Sequence, residues 1–574
     1  MSEKIKQNNN KVFKINPYYS YNNNFPEYEN LIDWSALNSE KDFVNFQKEY
    51  LHNYKCWDEK KIIQTNLEIN SLFLKNIERI SEELNKFYNI ELPKKFWFNI
   101  NCEWVHILIS YTLQKYYDIE YFLKFFKNKN FQFLKYEIIN KENYLYPIDI
   151  TNALNNNYCD IVITNIILKN VKFQNLKQLK NIKYKINLEN KNNNLNNSFN
   201  SFYEKIKFFL NKRFQQVYKF NKLQRIIISL ILGFYKKNNL LNNNNYFVNL
   251  EKADGISNEI NIIIEEVLTL FFPEKIKTIN FNRLKKERYF KGKYRIIHTD
   301  IQSFDRNLKN SFAELKGEKI ICAQHGSMYG SYKILSRHNL YEYSKDVFLT
   351  WGWTKSESNL TNFLPINLPK PTFRYKETSK ENKIFFINSI NLSKKNLFVG
   401  SNRSFNFFIN LRIKKIKLFE NLNKISRNLI FFKDHKNNCL FDEQEYFKRK
   451  KYILNTVRTN NFEESILKKS NLIILPCYDT VLYESLYFNI PTLLLHNNEL
   501  FDKYFLNDYE LLKKANVVFD NPELLAKKIN YFCEDIRNID TWWNDNKTKI
   551  LINKFVSRRL KSSNVWFFDN LKKI

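Results

Sequence analysis

The chain has 574 residues, of which 44% are hydrophobic and 17% aromatic, with only 8 glycines and 11 prolines. That much apolar surface excludes a globally disordered chain, and so little glycine and proline excludes collagen-like and low-complexity classes. A formal charge of +32 comes from 91 Lys and Arg against 59 Asp and Glu. It leaves two readings open: a polyanionic partner, or the Lys, Asn, Ile, Phe and Tyr bias of an A+T-rich genome with the excess lysine solvated. The codon reading is adopted here, with a residual attraction to anionic lipid headgroups or phosphorylated substrates.

In chain order, the N-terminus lacks an apolar signal core. Asparagine-rich tracts at Gln7–Asn10, Asn187–Asn200 and Asn238–Asn245 predict loops or insertions. Apolar residues at three-and-four spacing predict helices over Asn66–Tyr88, Trp97–Phe126 and Phe202–Lys237. The most apolar run, Ile226–Tyr235, is too short to span a bilayer and predicts a buried helix, so a soluble or peripheral protein is expected. The seven cysteines include no C-x-x-C pair, which points to a reducing cytoplasm and away from a disulfide framework or zinc knuckle.

From about residue 290 short apolar runs alternate with helical ones. Tyr294–His298, Lys319–Ala323 and Val347–Trp351 are predicted strands around a helix at Asp305–Leu315. A stretch with Pro365, Pro369 and Pro371 reads as a linker. Strands are predicted again at Lys383–Ile387, Asn428–Phe432, Asn471–Leu475 and Thr492–Leu495, with helices at Phe405–Ile425, Val481–Phe488 and Pro522–Arg537. Two such blocks mean parallel βαβ units in an α/β protein of two Rossmann-like lobes behind a helical N-terminal block. The expected boundaries are 1–355 for the helical block with an acceptor lobe, 356–380 for the linker, and 381–574 for a nucleotide-binding lobe. The last helix, around Trp542–Leu560, is expected to pack back on the first lobe.

Glycine is the sharpest pointer to chemistry because it is so rare. Four of the eight glycines, Gly317, Gly326, Gly330 and Gly352, fall within one short window. There Gln324-His325-Gly326-Ser327-Met328-Tyr329-Gly330 directly follows a predicted strand, the place where parallel sheets bind ligands. His325 is the candidate general base or phosphate partner, against the plainer reading of a histidine in a tight turn. Glu342 and Asp346, four apart on a predicted helix, are a candidate acid/base pair or a solvated face. Asp479 or Thr480 can cap a helix whose N-terminus suits an anion, and Glu484 and Ser485 follow on it. Lys433 and His435, just beyond a strand, are candidates to meet a diphosphate. Trp351 and Trp353 read as core, and His52, His106, His298 and His496 as structural. No acidic pair demands a metal.

The Q-H-G-x-x-Y-G run, Glu342, Asp346, the T-W-G-W of Thr350–Trp353, the D-T-x-x-x-E-S-x-x-x-N-I-P-T segment from Asp479 to Thr492 and the Trp542-Trp543 pair together resemble one family. It is the family of LIC-type transferases found in bacterial lipopolysaccharide and surface-polysaccharide loci, spirochaetes among them. The resemblance covers roughly 85–560, with Phe96, Trp97 and Trp104 in its N-terminal helical block. More distantly, the chain is similar to CDP-glycerol polymerases and CMP-sialyl-type capsule transferases, and its nucleotide half to GT-B glycosyltransferases. Ser327 stands where the family has a second glycine, and Lys433-Asp434-His435 where an arginine is usual.

The resemblance implies a GT-B-like glycosyltransferase acting on a surface glycan. Its donor would be a nucleotide-sugar, a CMP-linked ulosonic acid being favoured. On that reading His325, Glu342 and Asp346 are catalytic. Gln324, Gly326, Ser327, Tyr329, Gly330, Lys433, His435, Asp479, Thr480, Glu484 and Ser485 bind substrate. The acceptor is a glycan or lipid-linked glycan. No cofactor, metal or nucleic acid is implied, and the protein would work in the cytoplasm or at the inner face of the cytoplasmic membrane. A CDP-alcohol polyol-phosphate transferase is the alternative on the same architecture. A basic nucleic-acid-binding protein is the other, though no recognition module is visible.

Overall fold

The computed structural model describes residues 13–14, 29–30, 57–125, 131–133, 136–138, 158–171, 176–178, 182–184, 250–281, 294–297, 304–334, 337–358, 361–365, 383–388, 405–434, 443–457, 466, 469–497 and 499–560. The asparagine-rich tracts, the expected helix over 202–237, His52, His298 and His435 lie outside these residues.

The helical block is built around one buried rod. Helix α1 (Glu59–Tyr88) starts where Asp58 accepts from the Lys61 N–H at 2.8 Å and stops at Asn89, whose φ of 50° ends the helical path. It buries a stripe that includes Ile62, Ile69, Leu72, Phe73, Ile77 and Leu84. Helix α2 (Lys94–Phe125) is buried nearly all round between residues 96 and 115, as a helix apolar on every face must be. It packs against α1, α3 (Tyr158–Asn170) and α4 (Asn258–Leu270), and also against α5 (Phe304–Leu315) and α6 (Arg337–Tyr343) of the α/β region. Trp97, Trp104, Phe312 and Tyr341 therefore share one core. Buried Lys345 donates to buried Asn99, which in turn donates to half-buried Glu314 of α5, tying the block to the α/β region. Short parallel pairs join β1 (Phe13–Lys14) with β2 (Glu29–Asn30), β3 (Phe131–Phe133) with β5 (Leu176–Gln178), and β4 (Tyr136–Ile138) with β6 (Ile182–Tyr184).

Two parallel sheets follow. The first has order β10-β9-β8-β7, from β7 (Tyr294–Ile297), β8 (Lys319–Ala323), β9 (Val347–Thr350) and β10 (Asn362–Pro365). Here the structure differs from the expected linker, because Asn362–Pro365 pairs in parallel with Val347–Thr350 as an edge strand. An edge tolerates Pro365, which lacks the N–H that an inner strand would need.

The second sheet joins β11 (Lys383–Ile387), β12 (Ile430–Lys433), β13 (Asn455–Thr456), β14 (Ser470–Leu475), β15 (Thr492–Leu495) and β16 (Val518–Phe519) in the order β13-β12-β11-β14-β15-β16. That is the doubly wound 3-2-1-4-5-6 arrangement, which reverses direction between β11 and β14 and opens a crevice at their carboxyl ends. The central strands β14 and β15 are buried throughout, as their unbroken apolar runs require. Around the sheet pack α7 (Phe405–Glu420), α8 (Lys424–Leu429), α9 (Glu443–Arg449), α10 (Thr480–Tyr487), α11 (Lys503–Lys514), α12 (Pro522–Glu534), α13 (Arg537–Asn544) and α14 (Asn546–Arg559). Trp542 and Trp543 are buried in this core, their indole N–H groups donating to Ala515 O and Asn489 Oδ1 at 3.2 and 2.9 Å. Among the described residues no helix is long and apolar enough to cross a membrane, and the five described cysteines are free and buried.

His106 and His496 are both core histidines. His106 is buried against Phe73. His496 closes β15, with Nδ1 2.9 Å from the Tyr509 hydroxyl, and burial pushes its pKa down to about 4, Asp520 opposing and Lys513 and Lys414 adding to the fall. A histidine held neutral in the fold stabilises it above its unfolded pKa, and that stability is lost as pH falls toward the folded value. Wild type should therefore lose on the order of 1–3 kcal/mol more than His496→Gln between pH 7 and pH 4, read from urea midpoints at each pH. Equal losses in the two proteins would remove His496 from the acid response.

Candidate functional site

The carboxyl ends of the two sheets meet. Loops that leave β8 and β9 pack against loops that leave β14 and β15, and most of the residues singled out in the sequence lie at or beside this junction.

The first loop is the 324–330 turn. Gln324 is fully buried, and its side chain holds the turn together. Oε1 accepts from the Trp351 N–H and the Trp353 indole N–H, both at 2.8 Å, and Nε2 donates to Gly326 O at 2.8 Å. Gln324, a candidate substrate contact in the sequence, is a buried amide engaged on both sides that holds the turn. Gly330 has a φ of 63°, and a Cβ there would run into the Trp353 ring, so only glycine fits. Its N–H donates to the Tyr343 hydroxyl at 3.2 Å.

Across the junction, the Ser327 N–H donates to Thr480 Oγ1 at 3.2 Å, and the Tyr478 hydroxyl donates to Ser327 O at 2.9 Å. Ser331 Oγ lies 2.7 Å from the Tyr478 hydroxyl and donates to Ser327 O at 2.8 Å. Asp502 receives Ser356 Oγ and the Glu357 N–H at 2.8 and 2.7 Å, while its own N–H donates to Ser331 O at 2.9 Å. The end of α14 closes the seam. Arg559, 1% exposed, donates to Gly330 O at 3.0 Å and to Asp508 Oδ2 at 2.7 Å, and its guanidinium lies 5.0 Å from the centre of the Phe505 ring. Gly352, with φ of 103°, lets this chain end approach: a Cβ would stand 3.1 Å from Arg558 O. The last helix thus reaches back to the first sheet.

His325 is exposed at this seam, two residues from the Ser327–Thr480 contact. Its Nδ1 lies 2.8 Å from the Tyr329 hydroxyl, and the rings meet edge to face. Tyr329 is buried and stacked on Phe348, and behind it stands Glu342, 1% exposed. Burial drives the Glu342 carboxyl well above its usual range, with the facing Tyr329 hydroxyl pulling partly the other way. Tyr329 is raised in turn, first by burial and then by Glu342. Glu342, a catalytic candidate in the sequence, is thus a buried carboxyl.

It is not paired with Asp346. Helix α6 ends at Tyr343, so the two carboxylates do not share a helix face. Asp346 Oδ2 accepts from the Ile320 N–H at 2.8 Å near the start of β8, the end of the strand remote from His325. Asp346, the other acidic candidate, tethers the backbone there.

In the second lobe, Asp479 is the cap of α10, accepting from the Thr480 N–H at 2.6 Å. Asp479, Thr480 and Glu484 are half-buried, and Glu484 is the fifth residue of the helix. Ser485, a candidate ligand contact in the sequence, is buried and donates to Val481 O at 2.7 Å. Lys433 is half-buried at the end of β12.

Sequence reasoning missed the group at the end of β11. Asn388 donates to Asp434 at 2.9 Å and to Glu443 at 2.8 Å, and accepts from Lys415 at 3.1 Å, while Lys415 also pairs with Glu443. Burial opposes charge on Glu443, but Lys415 and Arg412, with hydrogen bonds from Lys415 and Asn388, hold its carboxyl below the usual value. The position of Asn388 directly after an apolar strand was the one available signal. Among the described residues no cluster of three or more His, Cys, Asp or Glu could hold a metal ion.

Over residues 29–573 the chain matches the LIC12162 family transferases, and it belongs to that family. No curated protein matches it. Among solved structures, the spinosyn rhamnosyltransferase SpnG is 9% identical, with 50% of this chain and 75% of that one covered and a TM-score of 0.26. Arabidopsis thaliana UGT89C1 complexed with quercetin is 8% identical over 82% and 94%, TM-score 0.31. S. aureus MnaA with UDP is 12% identical over 50% and 76%, TM-score 0.26. TM-scores this low carry no argument about fold or activity.

Arg559 is the member of the seam most open to test. Replacing it by methionine keeps much of the volume but removes the bonds to Gly330 and Asp508; Arg558 still pairs with Asp508 at 2.9 Å. We expect Arg559→Met to cost about 3 kcal/mol, the lower end for breaking a buried ion pair, in denaturant unfolding followed by tryptophan fluorescence. An unchanged midpoint would show that the α14 end does not hold the seam.

Proposed function

We propose that this transferase is a glycosyltransferase of two lobes that moves a sugar from a nucleotide donor to a bacterial surface-polysaccharide or lipopolysaccharide glycan. The observation that carries the reading is the meeting of two parallel sheets, carboxyl end to carboxyl end, with an exposed histidine beside a capped helix N-terminus. Crevices at strand carboxyl ends bind ligands in such sheets, and the reversal between β11 and β14 supports the nucleotide lying between Asn388 and the 477–480 loop. The α10 dipole favours its phosphate, Lys433 adds positive charge, and Glu484 accepts from ribose hydroxyls. His435 follows Lys433 in the sequence and completes this set.

The acceptor glycan enters against Gly326 and His325. His325 takes the proton of the attacking hydroxyl while the helix dipole and cationic side chains ease departure of the nucleotide. A CMP-linked ulosonic acid is the donor that fits the similarity of the His-Gly turn to CMP-sialyl-type capsule transferases. Work at the cytoplasmic face of the membrane accords with buried free thiols and a lysine-rich surface that anionic headgroups attract.

Thermal shift against CMP, CDP, UDP and GDP and their sugars tests the donor. Cytidine nucleotides should stabilise the protein, and a response to CDP-alcohols alone would replace the sugar reading with polyol-phosphate transfer. Glu484→Ala should weaken donor binding by about 1–3 kcal/mol, the range for a lost charge-assisted hydrogen bond.

His325→Gln should lose about 10²–10⁴-fold in rate with an unchanged melting temperature. A base must be neutral, so the wild-type rate should fall as acid protonates the imidazole. Loss of stability with retained specific activity would make His325 a structural histidine.

A further inference from the structure

Asn388 is a buried polar group that the proposed reaction leaves without a task. It follows β11 directly, where the order of the second sheet reverses, and every polar atom of its side chain is met. Oδ1 accepts from Lys415 of α7 at 3.1 Å. Nδ2 donates to Asp434 Oδ1 at 2.9 Å and to Oε2 of Glu443, the first residue of α9, at 2.8 Å. A cation on one side and two carboxylates on the other allow the amide one orientation. Lys415 and Glu443 also pair with each other, and both are buried.

Replacing a buried ion pair by apolar side chains is often neutral for stability, so what such a group supplies is a fixed arrangement. The element fixed here is the end of β12. Among the described residues its ladder with β13 ends at Phe432 opposite Thr456, with one more bond from the Val457 N–H to Phe432 O at 2.9 Å. The next two residues are gripped from the β11 side. The Asn388 N–H donates to Lys433 O at 2.8 Å, and the Asn388 side chain holds Asp434, which is half-buried. Lys433 is therefore bonded at its own carbonyl and anchored again one residue on.

We infer that Asn388 is a positioning residue for the donor phosphate: backed by the Lys415–Glu443 pair, it holds the end of β12 where Lys433 meets that phosphate. The inference rests on the proposed role of Lys433 as a phosphate contact. A contact of this kind is only as well placed as the groups behind it, and here those groups come from β11, α7 and α9 at once.

The experiment is calorimetric titration of the full chain with CMP, UDP and GDP, and with cytidine, uridine and guanosine, which lack the phosphate. Asn388→Leu removes the side-chain bonds and leaves Lys415 and Glu443 to each other. It should bind the nucleotide that wild type binds about tenfold more weakly, as when a charge-assisted hydrogen bond goes unmade, and bind the nucleoside as wild type does. In a Lys433→Met background Asn388→Leu should cost nothing further, because both changes act on one contact. Asp434→Ala and Asp434→Asn both lose the charge, and only the second keeps an acceptor for Asn388. Asp434→Ala should therefore bind the nucleotide about tenfold more weakly than Asp434→Asn.

Equal losses for nucleotide and nucleoside would make Asn388 a fold determinant and overturn the inference. So would a full further loss in the Lys433→Met background, or equal binding by the two Asp434 variants. Where the nucleoside binds too weakly to titrate, the Lys433→Met background decides. If Asn388→Leu does not fold, the two Asp434 variants decide. Wild-type affinity in Lys433→Met removes Lys433 from the phosphate site, and the inference with it, while leaving the donor reading standing. A wild type that binds none of the three nucleotides overturns the donor reading itself, and the inference falls with it.

Discussion

The buried guanidinium of Arg559 is the constraint on which the junction depends. It lies between Asp508 of the second lobe and the carbonyl of Gly330 in the first, with Phe505 against its face. A guanidinium so far from water is tolerable only when its donors are met, and here they are met from both lobes. The contact fixes where the 324–330 turn stands relative to α10. Everything proposed for the site, from the exposure of His325 to its nearness to Thr480, follows from that placement.

Burial and hydrogen bonding divide the residues of this seam. Gln324, Ser327, Gly330, Ser331, Tyr478 and Ser485 are buried with partners close at hand. A polar group that has left water and found its partner makes structure and has little left for a ligand. The groups that keep exposure are few: His325, with Gly326, Lys433, Asp479, Thr480 and Glu484 half-buried. The motif thus divides by burial into residues that build the loop and residues that face outward, a division invisible in a string in which both kinds look alike.

The scarcity of glycine made backbone geometry readable. In a chain with eight glycines, those at 330 and 352 stand where positive φ coincides with close approach, of Trp353 in one case and of the Arg558–Leu560 backbone in the other. The large positive charge was, by contrast, a poor guide to the site. The buried cations Lys345, Lys415 and Arg559 serve to join elements.

Local pattern by itself determined the elements that repeat an apolar period. The helices over 59–88 and 94–125, the strands at 319–323, 383–387, 470–475 and 492–495, and the parallel character of both sheets follow from side-chain periodicity and from strands apolar on both faces. The same pattern pointed to the 324–330 turn and the 479–485 helix start, because both leave a buried strand. It failed at short edge elements such as 362–365, where proline masked a strand that needs only one neighbour. Nor does it show that Asp346 and Ser485 bond to backbone atoms, which no spacing predicts. What only the tertiary structure decided is which lobes meet and which groups line up across space. Ser327 and Thr480 are joined across a sequence separation of 153, and Arg559 and Gly330 across one of 229. Such pairings are set by the packing of whole sheets, and a hydrogen bond acts over a few ångströms wherever the fold brings its two ends together.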